Sequence, residues 1–313
     1  MAPESPDALL AAARGGEEDA FARLTRPYRR ELHLHCYRLL GNPHDADDAL
    51  QETLLRAWRH LDRYQERAGL RTWLYRIATN ACLRLLERRP AELMPYPDRL
   101  LDVADASADT FAATAERETF ELAYVTVVRL LPPRQRAALV LREALGWRSA
   151  EIADLLGTSV TAVNSALQRA RETVEAKAAA PRHTADGAEE RRVVQAFMRA
   201  WNAVDIDALV ALLAEDAVLT MPPEDVRIDG AAAIGRFFGT VPADGRLDRI
   251  RLVETRANGQ PGLAAYIRAA DEGDHDAYGV MVLTIADGQV TAITGFPGAA
   301  AFEPFGLPAT QPG

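Results

Sequence analysis

Apolar residues recur every three or four positions through the first part of the chain, which is the helical period. Phe21, Leu24, Tyr28, Leu32, Cys36 and Leu39 predict a helix over Glu17–Leu40 that Gly41 stops. Leu50, Leu54, Ala57 and Leu61 form the buried stripe of a second helix, capped by Asp45 or a neighbour. Leu70, Leu74, Ile77, Ala81 and Leu85 give a third, from Leu70 to about Arg89, ended by Pro90. A helix over Thr114–Leu131 and another over Arg134–Leu145 flank Pro132 and Pro133. The stretch WRSAEIADLLGTSVTAVNSALQRAR then carries two short helices. The first buries Ile152, Leu155 and Leu156, Gly157 supplies a left-handed stop, and Thr158 or Ser159 caps the second. The second buries Val163, Leu167, Ala170 and Val174.

After about residue 188 the period changes. Glu189–Val204 is still helical, through Val193, Val194, Phe197, Met198 and Trp201. Asp205 caps a helix over Ile206–Leu213, DAVLTMPP reads as a strand and GAAAIGRFFG as a short helix. Alternating segments follow (DRIRLVETR, GLAAYIRAA, YGVMVLTIA and QVTAITGF), with Asn258-Gly259 and Asp287-Gly288 supplying turns for two hairpins. Helices first and antiparallel strands after predict an α+β layer behind an all-α half.

Composition changes this picture in one respect. The 313 residues carry a formal charge of −9, but unevenly. Residues 55–91 hold nine basic and three acidic residues, residues 92–116 one and six, and residues 187–313 ten and eighteen. A local basic patch, more than overall charge, attracts phosphate. The two cysteines, Cys36 and Cys82, lie in helical patterns and make no disulfide framework, which suits a reducing cytoplasm. The N-terminus has early acids and no basic segment before an apolar core, so no signal peptide is expected, and no apolar run approaches a membrane span.

The candidate chemistry is nucleic-acid recognition. The outer face of the second short helix shows Thr161, Ala162, Asn164, Ser165, Gln168, Arg169 and Arg171. Two short helices about a glycine turn with such a face fit a helix-turn-helix, whose second helix enters the DNA major groove. An αα-hairpin in a helical core is the plainer alternative. Upstream, Tyr64, Arg71, Trp73, Arg76, Asn80 and Arg84 interleave rings with cations, the composition that binds single-stranded or melting DNA, the plainer alternative being an amphipathic helix with Trp73 in its core. Asp48, Gln51, Glu52 and Arg56 share one helix face, either solvated or a docking face for a basic partner. His33 and His35 lie two apart, so a helix sends them to different faces, and no metal site or cofactor is expected.

LLPPRQRAALVLREALGWRSAEIADLLGTSVTAVNSALQRAR resembles region 4 of the sigma-70 class of RNA polymerase sigma factors, and DADDALQETLLRAW and GLRTWLYRIATNACL resemble region 2. With only these regions and a short linker, the first part is similar to the extracytoplasmic-function group. Residues 190–300 resemble the SnoaL-like cone folds, in which a curved sheet wraps a helix around a pocket. The resemblance implies two all-α sigma domains, a region 2 helical bundle and a region 4 helix-turn-helix, followed by an α+β SnoaL-like cone. It implies region 2 at 10–91, an acidic linker at 92–116, region 4 at 117–176, a second linker at 177–188, a SnoaL-like regulatory domain at 189–303 and a tail at 304–313. It implies a bacterial, cytoplasmic transcription initiation factor that binds core RNA polymerase and promoter DNA, not a membrane. Asp45, Asp48, Gln51, Glu52 and Arg56 would contact the β′ clamp helices of the polymerase core, and the β flap would be a further point of contact. Tyr64, Arg71, Trp73, Arg76, Asn80 and Arg84 would engage the −10 element. Thr161, Ala162, Asn164, Ser165, Gln168, Arg169 and Arg171 would read the −35 element. Many relatives carry Lys and Arg where this chain has Asn164 and Ala166, which weakens phosphate and guanine contacts here.

The C-terminal cone is expected to modulate the rest. Trp201, Met221, Phe237, Phe238, Tyr266 and Met281 would line its core or a pocket for an unknown small ligand. Some SnoaL-like proteins are enzymes, and Asp216, Asp229, His275 and Asp276 are the titrating groups available here. His275 lies in DEGDHDAY, which reads as a solvated loop, and no spacing demands an acid–base pair, so no catalytic residue is expected. The alternatives are a helix-turn-helix regulator acting without polymerase and a SnoaL-like enzyme fused to a DNA-binding module.

Overall fold

The computed structural model describes residues 5–65, 69–88, 92–100, 121–177, 183–185, 187–269 and 273–313. Most of the acidic linker, and the expected helical residues 114–120, lie outside these residues. The chain forms two compact units. The first comprises residues 1–91, 104–119 and 128–174; the second comprises 92–103, 120–127 and 175–313.

The first unit is helical. Helices α1 (Pro6–Arg14), α2 (Glu18–Thr25), α3 (Arg29–Leu40), α4 (Pro43–Arg59) and α5 (Leu70–Arg88) make the first bundle. The continuous helix expected over Glu17–Leu40 is broken by a 3₁₀ turn, Arg26–Tyr28, because Pro27 has no N–H to donate. The cap of α4 is Asn42, whose Oδ1 accepts from the His44 N–H at 2.9 Å, and not Asp45. Helix α3 buries both faces, with Leu32, Cys36, Tyr37 and Leu40 fully enclosed.

Helix α6 (Leu122–Val128) precedes α7 (Pro133–Glu143), α8 (Ser149–Leu156) and α9 (Val160–Lys177). Gly157 closes α8 at φ 62°, and the Ser159 hydroxyl accepts from the Ala162 N–H at 3.1 Å at the start of α9. Within this unit α7 is docked by Arg136, which is buried and donates to the carbonyls of Leu39, Arg129 and Leu131. Burial, with Arg129 nearby, pulls its guanidinium down to about 10. Tyr75 of α5 packs edge-on against Trp147, with ring centroids 6.0 Å apart.

The second unit holds α10 (Gly187–Asn202), α11 (Ile206–Ala211) and α12 (Ala231–Phe238) against one sheet. Its strands are β1 (Leu213–Thr220), β2 (Arg227–Asp229), β3 (Ile250–Ala257), β4 (Gln260–Ile267), β5 (His275–Ala286), β6 (Gln289–Pro297) and β7 (Thr310–Gln311). The order is β2-β1-β6-β5-β4-β3, with β7 added to β5, and only β1 with β6 is parallel. Both expected hairpins form: Asn258 and Gly259 at φ 56° and 72°, Asp287 and Gly288 at φ 51° and 75°. Positive φ at both central residues is what a two-residue turn between right-twisted strands requires. Val193, Phe197, Trp201, Ile234 and Phe238 pack on Leu219, Ile250, Leu263, Leu283 and Ile293.

Three segments depart from expectation in this unit. Residues 92–100 of the acidic linker are part of it, with Leu93 and Tyr96 buried. The segment 304–313 is no loose tail: β7 pairs with β5, and the Pro308 carbonyl accepts from the Tyr266 hydroxyl at 3.1 Å. His275 is buried at the start of β5 opposite Gln311, not solvated, and burial lowers its pKa.

His35 supplies a pH test of the first unit. Its Nε2 lies 2.9 Å from the Thr79 hydroxyl, which donates to the Tyr75 carbonyl, so Nε2 carries the proton and the ring is neutral. Burial, then Arg38 and Arg71, lower its pKa to about 3. Because the folded value lies below the unfolded one, this contribution is complete above the unfolded value and is lost as pH falls from there toward 3. Urea unfolding should show stability declining on acidification with an added slope of up to about 1.4 kcal/mol per pH unit. His35→Gln should remove that component; parallel pH profiles for the two proteins would refute it.

Candidate nucleic-acid and polymerase interface

Helix α4 presents Asp48 and Gln51 exposed and Glu52 and Arg56 half-exposed, the last two paired across one turn. Asp45 does not join them. It lies in the first turn of α4 with its residue only 3% exposed, so its place is structural and a docking contact through it is withdrawn. The sequence reading missed Leu55, which is 51% exposed on the same face. Its spacing of four from Gln51 and three from Glu52 was the available signal.

Helix α5 carries the basic and aromatic groups. Arg71 makes a two-pronged pair with Glu31, at 2.7 and 2.9 Å, and its guanidinium carbon lies 4.9 Å from the Tyr75 ring centroid. The hydrogen bonds to Glu31 raise its pKa. Trp73, half-buried, lies 5.1 Å from the Tyr64 ring. Tyr64 itself is 6% exposed, between Trp73 and Arg14, so a stacking role for its ring is withdrawn for this conformation. Its neighbours 66–68 in the expected −10 loop lie outside the described residues. Arg76 pairs with Asp154 of α8. Asn80 and Arg84 are half-buried further along. Burial, then Arg56, lower the Arg84 pKa, and its Nη2 has no hydrogen-bond partner among the described residues.

On α9, Thr161, Ala162, Asn164, Gln168, Arg169 and Arg171 are exposed and Ser165 half-buried. Asn164 Oδ1 accepts from the Ser149 hydroxyl at 2.7 Å, which fixes the amide and leaves its NH₂ to donate outward. Gln168 donates to Glu172 at 3.0 Å and Arg171 to Glu143 at 3.4 Å. These weak surface pairs cost little to exchange for another acceptor.

The arrangement is therefore a helix-turn-helix with a polar outward helix, beside a bundle with one acidic-apolar face and one basic-aromatic face. Residues 24–91 match the Sigma-70 region 2 family, 117–174 the Sigma-70 region 4 family and 194–293 the SnoaL-like domain family. The ECF RNA polymerase sigma factor SigG of Mycobacterium tuberculosis is 40% identical over 333 residues, covering 96% of this chain and 89% of that protein. The chain belongs to the extracytoplasmic-function sigma factors. SigJ of the same organism is 31% identical over 283 residues, covering 85% of the chain and 88% of SigJ. The crystal structure of SigJ superposes with a TM-score of 0.64 at 28% identity, covering 90% of the chain and 97% of that structure. The sigma factor thus binds RNA polymerase and promoter DNA to begin transcription, and a SnoaL-like domain follows its two sigma regions.

The sigma factor's second unit has a cavity of about 100 Å³ that is open to solvent on one side. Trp201, Met221, Phe237, Phe238 and Met281 line it, with Tyr278, Gly279 and Gly295 also at its wall. Tyr266 does not line it: its ring is fully buried against Phe302, 5.0 Å away, on a different side of β4. The Trp201 indole N–H is already committed to the Ile250 carbonyl at 3.1 Å. Among the described residues, Asp216, Asp229 and Asp276 are exposed, and none of them, nor His275, lines this cavity. No group of three His, Cys, Asp or Glu among the described residues is placed to hold a metal ion. No described helix is long and apolar enough to cross a membrane.

Gly157 gives a direct check of the helix-turn-helix turn. Space around it is open, but φ is 62°, so strain alone decides the outcome. Gly157→Ala should destabilise the sigma factor by about 1 kcal/mol, measured by urea unfolding. An Ala variant as stable as the parent would show that the turn relaxes.

Proposed function

We propose that α4 docks on the β′ clamp helices of core polymerase through Asp48, Gln51, Glu52 and Arg56, with Leu55 as the apolar centre of that face. Arg71, Trp73, Arg76, Asn80 and Arg84 of α5 engage and open the −10 element. Thr161, Ala162, Asn164, Ser165, Gln168, Arg169 and Arg171 of α9 read the −35 element, with region 4 on the β flap. The observation that carries this reading is the single face of α5 on which Arg76, Asn80 and Arg84 follow one another at helical spacing. Cations there can track the phosphate backbone while Trp73 stacks on an exposed base, worth ~1–3 kcal/mol. Arg76 reaches DNA only by exchanging Asp154 for phosphate. The protein acts in the cytoplasm, where the polymerase is.

Asn80→Ala should shift −10 preference by about tenfold in run-off transcription across −10 variants, with affinity for core polymerase within about twofold of the parent. Each base-edge contact is worth ~1–3 kcal/mol, which sets that scale. Loss of polymerase affinity with unchanged −10 preference would contradict the assignment. A run-off assay with core polymerase that gave no promoter-specific transcript would sink the whole reading.

The SnoaL-like domain modulates these contacts, and its cavity takes a small, neutral, apolar molecule in place of a substrate. The support is the lining: rings, methionines, glycines and aliphatic side chains, with no carboxylate, histidine or cation among the described residues. A buried charge needs a partner, and this wall offers none. A neutral aromatic probe such as indole should bind saturably, and Met221→Trp, which fills the space, should abolish the binding. Unsaturable or variant-insensitive binding would remove the ligand proposal.

A further inference from the structure

The Asn258–Gly259 end of the second unit holds three separate passages of the chain. In the first, residues 96–98 lie along the β3–β4 turn. The Tyr96 N–H donates to Asn258 Oδ1 at 2.8 Å, and the Asn258 N–H donates to the Tyr96 carbonyl at 2.8 Å. Pro97 bridges to Ala257, and Asp98 Oδ1 accepts from the Gly259 N–H at 2.8 Å. In the second, the Leu122 N–H, at the start of α6, donates to Gln260 Oε1 at 3.2 Å. The Gln260 NH₂ donates onward to the Thr284 hydroxyl at 3.0 Å. Asn258 and Gln260 are each only 1% exposed, so each bond is made away from water.

The third passage is residues 183–185, just before α10. The Thr184 and Ala185 N–H groups share the Ile285 carbonyl, at 3.0 and 3.3 Å. The Ile285 N–H donates to His183 Nδ1 at 3.1 Å. His183 Nε2 therefore carries the ring proton, and it lies 3.2 Å from Glu190.

One guanidinium joins the first passage to the third. Arg256 donates from Nε to Asp98 at 3.2 Å, from Nη1 to Glu190, and from Nη2 to the Gly259 carbonyl at 3.0 Å. Asp98 belongs to the linker that precedes region 4. Glu190 holds His183 of the linker that follows it. Burial opposes the charge on Glu190, but the hydrogen bonds from His183 and Arg256 win and keep its pKa low. The side chains of Glu190, His183 and Asp98 are 12%, 7% and 15% exposed, so losing one partner leaves a largely buried charge uncompensated.

We propose that Arg256 and Glu190 form a clasp that couples the two linkers, so that residues 96–98 and 183–185 are held together and released together. Region 4 lies in the chain between these two segments. Its entry and its exit thereby share one guanidinium, and an event at Arg256 loosens both. The coupling is a property of the free chain. Its use as a switch of promoter binding rests on the modulatory role proposed above.

Hydrogen–deuterium exchange on the full chain tests it. Arg256→Gln should raise exchange about tenfold or more in both 92–100 and 183–185, while Val282 and Leu283 of β5 stay protected. Asp98→Ala, which touches only the first linker, should raise exchange at 183–185 as well. His183→Gln should do the same at 96–98. Variants that loosen only their own segment, or an Arg256→Gln that loosens neither, would overturn the clasp. If Arg256→Gln also exposes β5, the two single-linker variants decide alone, by the same criterion. Run-off yield with core polymerase is read in parallel. An unchanged yield alongside coupled exchange removes the modulatory role and keeps the clasp.

Discussion

A buried guanidinium cannot be left with its charge unshared, and Arg136 shows how much structure that requirement organises. Its side chain is almost wholly enclosed, and among the described residues no carboxylate pairs with it. Three backbone carbonyls take its protons: one at the C-terminal end of α3, two in the turn between α6 and α7. Carbonyls at a helix end carry the negative pole of the helix and lack intrahelical donors, so they suit a cation that would otherwise be costly to bury. The cation keeps its proton although burial weakens its hold on it. In this way α7 is fixed to the first bundle, and α8 and α9 are carried on α7. The outward face of α9 and the pairing of Arg76 with Asp154 both depend on that dock.

Much of this was legible in the sequence, because much of it is local. The stop at Gly157, the Ser159 cap and the two hairpin turns each follow from residues a few positions apart. The helical stripes of α5 and α9 were equally plain. The outward residues of α9 are outward because their neighbours Val163, Leu167 and Ala170 are all buried. Pro27 was visible too, although the stripe around it read as one helix; an apolar period survives a 3₁₀ turn that the backbone does not.

What was not legible depended on distant partners. PYPDRL has the composition of a solvated connector, yet Tyr96 is buried by Asn258, 162 positions away. No local rule pairs them. His275 sits among acids and reads as a loop, but a strand from the far end of the chain covers it. Asp45 stands at a helix start, where acids are common at the surface, and only the packing of the bundle encloses it. Leu55 is the opposite case: an apolar residue outside the buried stripe of its helix, it stands in the open.

The second unit is discontinuous, since it takes in residues 92–103 and 120–127 as well as everything after 174. A SnoaL-like module spliced onto an arbitrary pair of sigma regions would lack the segment that covers Asn258 and the amide that satisfies Gln260. Asn258 Oδ1 would then lose the Tyr96 N–H and Gln260 Oε1 the Leu122 N–H, at a sheet end where each residue is 1% exposed. Grafting this domain between sigma factors thus means moving the upstream segments with it.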